Sequence, residues 1–192
     1  MNTTARIAIF ASGSGTNAEA ILNYFRDSHD INVVLLLSNN PSAYALERAK
    51  KFGVKSETFT RVQFRDSNEV LDKLQNENIT HIVLAGFLWL VPVNLIAAFP
   101  GKIVNIHPAL LPKYGGKGMY GAKVHEAVRA ANERETGITI HVVNEQYDEG
   151  AILFQARCAV GISDTSDSIA GKVHHLEHEH FPREIEKWIR NS

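Results

Sequence analysis

Apolar runs along this chain alternate with stretches in which apolar positions recur every three or four residues. Residues 5–11 and 32–38 are almost wholly apolar, as strands buried on both faces are. Further strands are expected at 79–85 and 102–106, with a short one at 55–59. Between them the spacing predicts helices over 17–26, 43–52, 67–78 and 94–99. Apolar strands alternating with helices imply a parallel sheet covered on both faces. Ligand sites in such sheets lie at the carboxyl ends of strands. The segments that follow strands one, four and five should therefore share a crevice.

After residue 107 the pattern changes. Gly115, Gly116, Gly118 and Gly121 crowd a loop that leads into a helix near 122–131. Residues 136–143 and 151–159 alternate like paired strands, and a last helix is expected over 166–189. The whole reads as an α/β fold: a mostly parallel twisted sheet, helices on both faces, and antiparallel strands in the C-terminal part. No repeat or linker interrupts it, so residues 1–192 are expected to form a single domain.

Composition narrows the function. Apolar residues make up 44% of the 192 and charged residues 21%, with a net charge of −1, so no basic field suggests nucleic acid or an anionic membrane. The longest apolar runs, 31–37 and 82–92, are too short or too interrupted to span a bilayer. Residues 1–6 do not read as a secretory leader. Cys158 is the only cysteine, which precludes an internal disulfide, suits a cytoplasmic protein and reads as a small core residue.

Five segments carry candidate chemistry. Ala11-Ser12-Gly13-Ser14-Gly15-Thr16-Asn17 joins the first strand to the first helix, where glycines and free helix-start N–H groups can cradle an anion. Its serine, threonine and asparagine side chains add donors. No Gly-Lys-Ser/Thr follows, and Ser38-Asn39-Asn40 replaces the acid that a dinucleotide site needs after strand two. The run from Ala85 to Pro92, with Phe87, Leu88, Trp89, Leu90 and Val91, reads either as core or as one wall of a flat aromatic pocket. Asn105 and His107 lie two apart on a strand and share a face, giving an oxyanion donor beside a proton carrier. Tyr147-Asp148-Glu149-Gly150 offers a turn or a carboxylate able to charge a histidine. His174 and His178 stand four apart in a histidine-rich helix, but without the remaining ligands of a zinc site they read as a polar face, and no metal is expected. His29, His81, His125 and His141 show no comparable spacing.

Taken together, these segments resemble the phosphoribosylglycinamide formyltransferase family, the folate-dependent enzymes of purine synthesis. The resemblance runs from residue 7 to 188. It rests on G-S-G-T-N at 13–17, A-G-F at 85–87, N-I-H-P-A-L-L-P-K at 105–113 and D-E-G at 148–150. It implies a Rossmann-like formyltransferase fold and 10-formyltetrahydrofolate as co-substrate. Asn105, His107 and Asp148 would be catalytic. Gly15, Thr16 and Asn17 would hold the ribosyl phosphate, Glu177 would hold ribose hydroxyls, and Pro108 and His174 would also touch that substrate. Leu88, Trp89, Leu90, Val91, Asn105 and Val143 would line the folate site. Trp89 stands where the family often has Arg, and Asn68 where an Arg commonly meets the folate tail, leaving Arg65 as the nearby substitute. The loop 115–121 departs from the commoner Pro-x-x-x-Gly form. A monomer or homodimer without nucleic-acid or membrane partners is expected. The rivals are a formyltetrahydrofolate hydrolase, a non-catalytic phosphosugar-binding module and, disfavoured by the missing acid, a nicotinamide-dependent oxidoreductase.

Overall fold

The computed structural model describes residues 4–191, so the first three residues of the segment read for a leader lie outside the described residues. Seven strands form one sheet in the order β3-β2-β1-β4-β5-β6-β7. The parallel part comprises β1 (Ala5–Phe10), β2 (Ile31–Ser38), β3 (Lys55–Thr58), β4 (His81–Leu84) and β5 (Ile103–His107). β6 (Glu135–Val142) and β7 (Ile152–Ala159) continue it antiparallel. The chain winds outward from β1 to β3, then returns to place β4 on the other side of β1. That reversal opens a crevice beyond the carboxyl ends of β1 and β4.

Strand alternation divides the core in two. Ile7, Ile9, Val83, Val104 and Ile106 face α1 (Thr16–Tyr24), α2 (Tyr44–Lys51) and α7 (Ser166–Arg190), meeting Ile21, Ala45 and Phe181. Ala8, Phe10, Leu35, Leu37 and Ile82 face the opposite way, towards α3 (Arg61–Arg65), α4 (Glu69–Asn76) and α5 (Val93–Ala98), meeting Phe64, Leu74 and Leu95. The remaining helix, α6 (Ala122–Ala130), buries Val124, His125 and Val128.

Most element ends fall within about two residues of the sequence reading, but the segment 61–78 differs in kind. The helix expected over 67–78 is shortened to Glu69–Asn76, and a separate one-turn helix, α3, precedes it. α3 is fixed by a capping box in which Thr60 accepts from the Gln63 N–H and the Gln63 side chain accepts from the Thr60 N–H. Five residues are too few to show a helical period, so only that box could have marked it.

Candidate functional site

A cavity of about 580 Å³ opens at the crevice. The segments after β1, β4 and β5 all line it, as do the loop before α6, Tyr147, Asp148 and two residues of α7.

At one end lies the turn 13–17. Gly15 caps α1 with φ +73°, and a Cβ there would fall 2.6 Å from both Cα and Cβ of Ala45, so only glycine fits. The Gly13 carbonyl accepts from the Ala45 N–H, and the Gly15 carbonyl accepts from the Glu19 N–H. The backbone N–H groups of Gly13, Ser14, Gly15, Thr16 and Asn17, by contrast, donate to no group among the described residues. A row of unused N–H groups at a helix start is an anion cradle. Arg48 donates to the Ser14 carbonyl and pairs with Glu19, bracing the turn from its carbonyl side.

Ser12 departs from the expectation of a free donor. Its hydroxyl donates to Asn39 Oδ1 at 2.7 Å and accepts from the Leu88 N–H at 3.1 Å. Asn40 donates to the Ser12 carbonyl at 3.2 Å. The amides found where dinucleotide sites carry an acid therefore brace this turn. The Asn17 side chain is also committed, donating to Glu177 Oε2 at 2.9 Å, while its own Oδ1 is buried without a partner. Burial raises the Glu177 carboxyl above the usual carboxylate range, and the Asn17 bond and His174 only partly oppose this. His174, on the same helix, lies edge-on to His125, and both line the cavity.

At the other end lie Asn105, His107 and Asp148. The β5–β6 register sets Asn105 opposite His141 and His107 opposite Thr139, so these four side chains share one sheet face. The Asn105 Nδ2 donates to His141 Nε2 at 3.1 Å and, weakly, to Asp148 Oδ1 at 3.5 Å. The Val142 carbonyl lies 3.1 Å from His141 Nδ1 and can only accept. That nitrogen therefore carries a hydrogen, and Nε2, besides facing the Asn105 amide, lies 3.5 Å from Asp148 Oδ1. The Tyr114 carbonyl, 2.7 Å from His107 Nε2, likewise fixes a hydrogen there. His107 Nδ1 is thereby turned to Asp148 Oδ2 at 3.5 Å. Asp148 also accepts from the Gly116 N–H at 2.9 Å and holds a left-handed backbone, φ +57°.

The electrostatics bear on the expected pairing of Asp148 with His107. Burial pushes His107 below its usual 6.5, and the opposing pull of Asp148 and the Tyr114 carbonyl does not make up the difference. Burial and Asp148 thus act on the His107 proton in opposite senses, with burial the larger effect. Burial would raise the Asp148 carboxyl, but His141, His107 and the Gly116 N–H outweigh it and hold it below the usual range. The His107 lone pair and the carboxylate thus face each other as two acceptors, an arrangement that a single proton satisfies.

The structure gathers Asn105, His107, Asp148, Gly15, Thr16, Asn17, Pro108, His174, Glu177 and Leu88 around one cavity. It does not gather the rest of the expected folate set. Trp89 packs among Phe59, Phe64 and Phe87, at ring-centroid distances of 6.0–6.4 Å. Val91 is buried, and Val143 packs on the same core cluster. Leu90 is half-buried away from the cavity lining, and Arg65 is exposed at the end of α3. Phe87 both packs on this core cluster and lines the cavity, while Trp89 and Val91 pack on the core. Sequence reasoning also passed over His125 and His141. His141 falls on the alternating strand, in phase with Asn105 once the two strands pair, and that pairing was the signal needed.

The formyl transferase family pattern matches residues 5–185. The chloroplastic phosphoribosylglycinamide formyltransferase of Arabidopsis thaliana is 42% identical over 180 residues, covering 91% of this chain and 62% of the relative. The chain thus spans less than two thirds of that relative's length. The Bacillus subtilis phosphoribosylglycinamide formyltransferase is 33% identical over 189 residues, covering 96% of this chain and 94% of the relative. A crystal structure of the Bacillus halodurans phosphoribosylglycinamide formyltransferase superposes with a TM-score of 0.85 at 36% identity, covering 95% and 94% of the two chains. With its anion cradle, its Asn105–His107 strand and this likeness along nearly the whole sequence, the chain belongs to the formyl transferase family.

Proposed function

We propose that this protein transfers the formyl group of 10-formyltetrahydrofolate to the amine of 5-phosphoribosylglycinamide, with residues 1–192 acting as one formyltransferase domain. The observation that carries this reading is one cavity with an anion cradle at 13–17 and a proton-handling cluster at Asn105, His107 and Asp148. A phosphate on the cradle and hydroxyls near Glu177 and His174 would set the far amine against the cluster. Such positioning supplies much of the rate.

The amine lone pair attacks the formyl carbon, and the carbonyl oxygen becomes an oxyanion. Asn105 offers it the hydrogen that Asp148 holds only at 3.5 Å. One such donor contributes roughly 3–4 kcal/mol. The attacked nitrogen, now cationic, gives its proton to the His107–Asp148 pair, which is poised as two facing acceptors. The same proton then passes to the folate nitrogen as the carbon–nitrogen bond to it breaks. Protons balance, and no side chain is covalently modified. Gly86, Phe87, Leu88 and the polar edge of Asn105 supply the contact this cavity wall would offer to the folate ring. Trp89 and Val91 act behind it through packing.

The partners are these two small molecules, without nucleic acid or membrane, in a monomer or homodimer. A reducing cytoplasm suits the lone Cys158. Incubation with 10-formyltetrahydrofolate, with and without phosphoribosylglycinamide, tests the reading. Deformylated folate should accumulate only when the amine is present. Equal accumulation without it would assign the site to a hydrolase, and none in either case to a binding module.

A further inference from the structure

His125 is absorbed neither by the proton-handling cluster nor by the anion cradle. It is 3% exposed, yet lines the cavity. Its Nδ1 is wholly buried with no hydrogen-bond partner, and Nε2, which is not closed off, donates to and accepts from nothing among the described residues. Buried polar groups are normally paired, so an imidazole with both nitrogens unused inside a cavity wall calls for an explanation. Packing alone would be better served by an apolar side chain, as at its neighbours Val124 and Val128 on the same buried face of α6.

We propose that His125 is a substrate-contacting residue of this site, its neutral imidazole hydrogen-bonding an uncharged group of the ribosyl substrate, either a ribose hydroxyl or the glycinamide amide. The inference rests on the formyl-transfer reading above. Geometry selects that region of the substrate. The His125 ring lies 6.4 Å from that of His174, which shares its helix with Glu177, and it lines the same cavity as His107 at the reacting end. It therefore stands along the span that joins the two ends. Chemistry selects an uncharged group. Burial pushes His125 down to about 4, with His174 and His107 adding to the effect, so the ring is neutral where the enzyme works and serves poorly as a counter-charge for phosphate. A neutral imidazole has one donor and one acceptor, which suits a hydroxyl or an amide. The unused N–H groups at 13–17 remain for the anion.

The test compares wild type with His125→Phe, His125→Leu and His125→Gln in steady-state kinetics and thermal melts. Losing one neutral hydrogen bond should raise the KM for phosphoribosylglycinamide about five- to tenfold in the Phe and Leu variants. The KM for the formyl donor should stay within about twofold. Gln, whose amide can reach where Nε2 stood, should recover most of the loss. Both apolar variants should melt at or above the wild-type temperature, because each removes a buried unpaired nitrogen. A histidine with a merely structural role would lower the melting temperature and leave the two KM values alone or move them together, and that result would overturn the inference. Misfolding of both apolar variants, which differ in shape, would overturn it too. Absence of wild-type turnover would sink the formyl-transfer reading and this inference with it. Wild-type turnover with unmoved KM in both apolar variants would sink this inference alone.

Discussion

His107 and Asp148 meet at 3.5 Å, with Nδ1 and Oδ2 facing, and most of the expected chemistry follows from that contact. Asp148→Asn removes one acceptor of the pair and should lower kcat by about 10²- to 10⁴-fold, the usual range for a lost acid–base group. The same variant has a second signature. Asp148 pulls the His107 pKa up against a burial effect that has already carried it below 6.5. In the proposed transfer His107 accepts the proton, so the rate should fall as pH drops through that pKa. Without the carboxylate the pKa drops further, and the acid limb of kcat/KM should move to lower pH. A limb that stays in place, or moves up, would show that His107 does not titrate as the acceptor. Next to this pair, His141→Phe deprives Asn105 Nδ2 of its 3.1 Å acceptor while keeping a ring in the strand. A fall in kcat of about tenfold is expected, the worth of one buried hydrogen bond, with little change in the ribosyl KM.

At the level of elements, α7 shows what sequence pattern can and cannot disclose. Ile169, Val173, Glu177, Phe181 and Ile185 are buried at four-residue intervals, so Glu177 occupies a core position in an otherwise apolar stripe. That misfit can be read from the spacing, although in the sequence only the family resemblance pointed to Glu177. Its partner Asn17, 160 residues earlier, is not visible in any local pattern. The same division holds elsewhere. Apolar runs located β1, β2 and β4, and the crevice followed from their parallel order. The antiparallel pairing that carries His141 to Asn105 depends on register, and α3 on a cap too brief for periodicity. The run from Phe87 to Val91 was ambiguous because an aromatic pocket and an aromatic core use the same residues, and Phe87 serves both. Its rings pack on Phe10, Phe59 and Phe64. Glu177→Gln tests the misfit in α7. Gln can still accept from Asn17 without a charge to bury, so the variant should be at least as stable as wild type at neutral pH. Burial raises the folded-state pKa of Glu177 above the ordinary carboxylate value of 4.5, so the wild type gains stability as pH falls through that raised pKa. The advantage of the variant in melting temperature should therefore shrink on acidification, while its KM for the ribosyl substrate rises. A variant that melts lower than wild type at neutral pH would contradict the assignment.

For the molecule as a whole, the sheet separates two uses of histidine. His81 begins β4 at the amino edge of the parallel strands, whereas the cavity lies beyond their carboxyl edge. It is 6% exposed, stands edge-on to Trp188 with ring centroids 5.0 Å apart, and has its Nε2 buried without a hydrogen-bond partner. Burial first, and then Lys102, push its pKa from 6.5 to about 4. The unfolded chain thus takes up a proton at a pH where the folded chain does not. The contribution of neutral His81 is complete above the unfolded value of 6.5 and is lost as pH falls through the interval down to about 4. A shift of this size corresponds to up to about 3 kcal/mol. Some of the acid sensitivity of the fold therefore originates far from the chemistry. His81→Phe keeps a ring against Trp188 and removes the titration, and Thr80 Oγ1 retains its contacts with the Arg6 backbone. Urea unfolding at neutral and acid pH should show a flatter stability profile in this variant, by up to about 3 kcal/mol. Its rate profile should stay where it is, since His107 and Asp148 are untouched. If the acid limb of activity moved with the stability profile, the two ends of the sheet would be coupled, and His107 could no longer be credited with setting that limb.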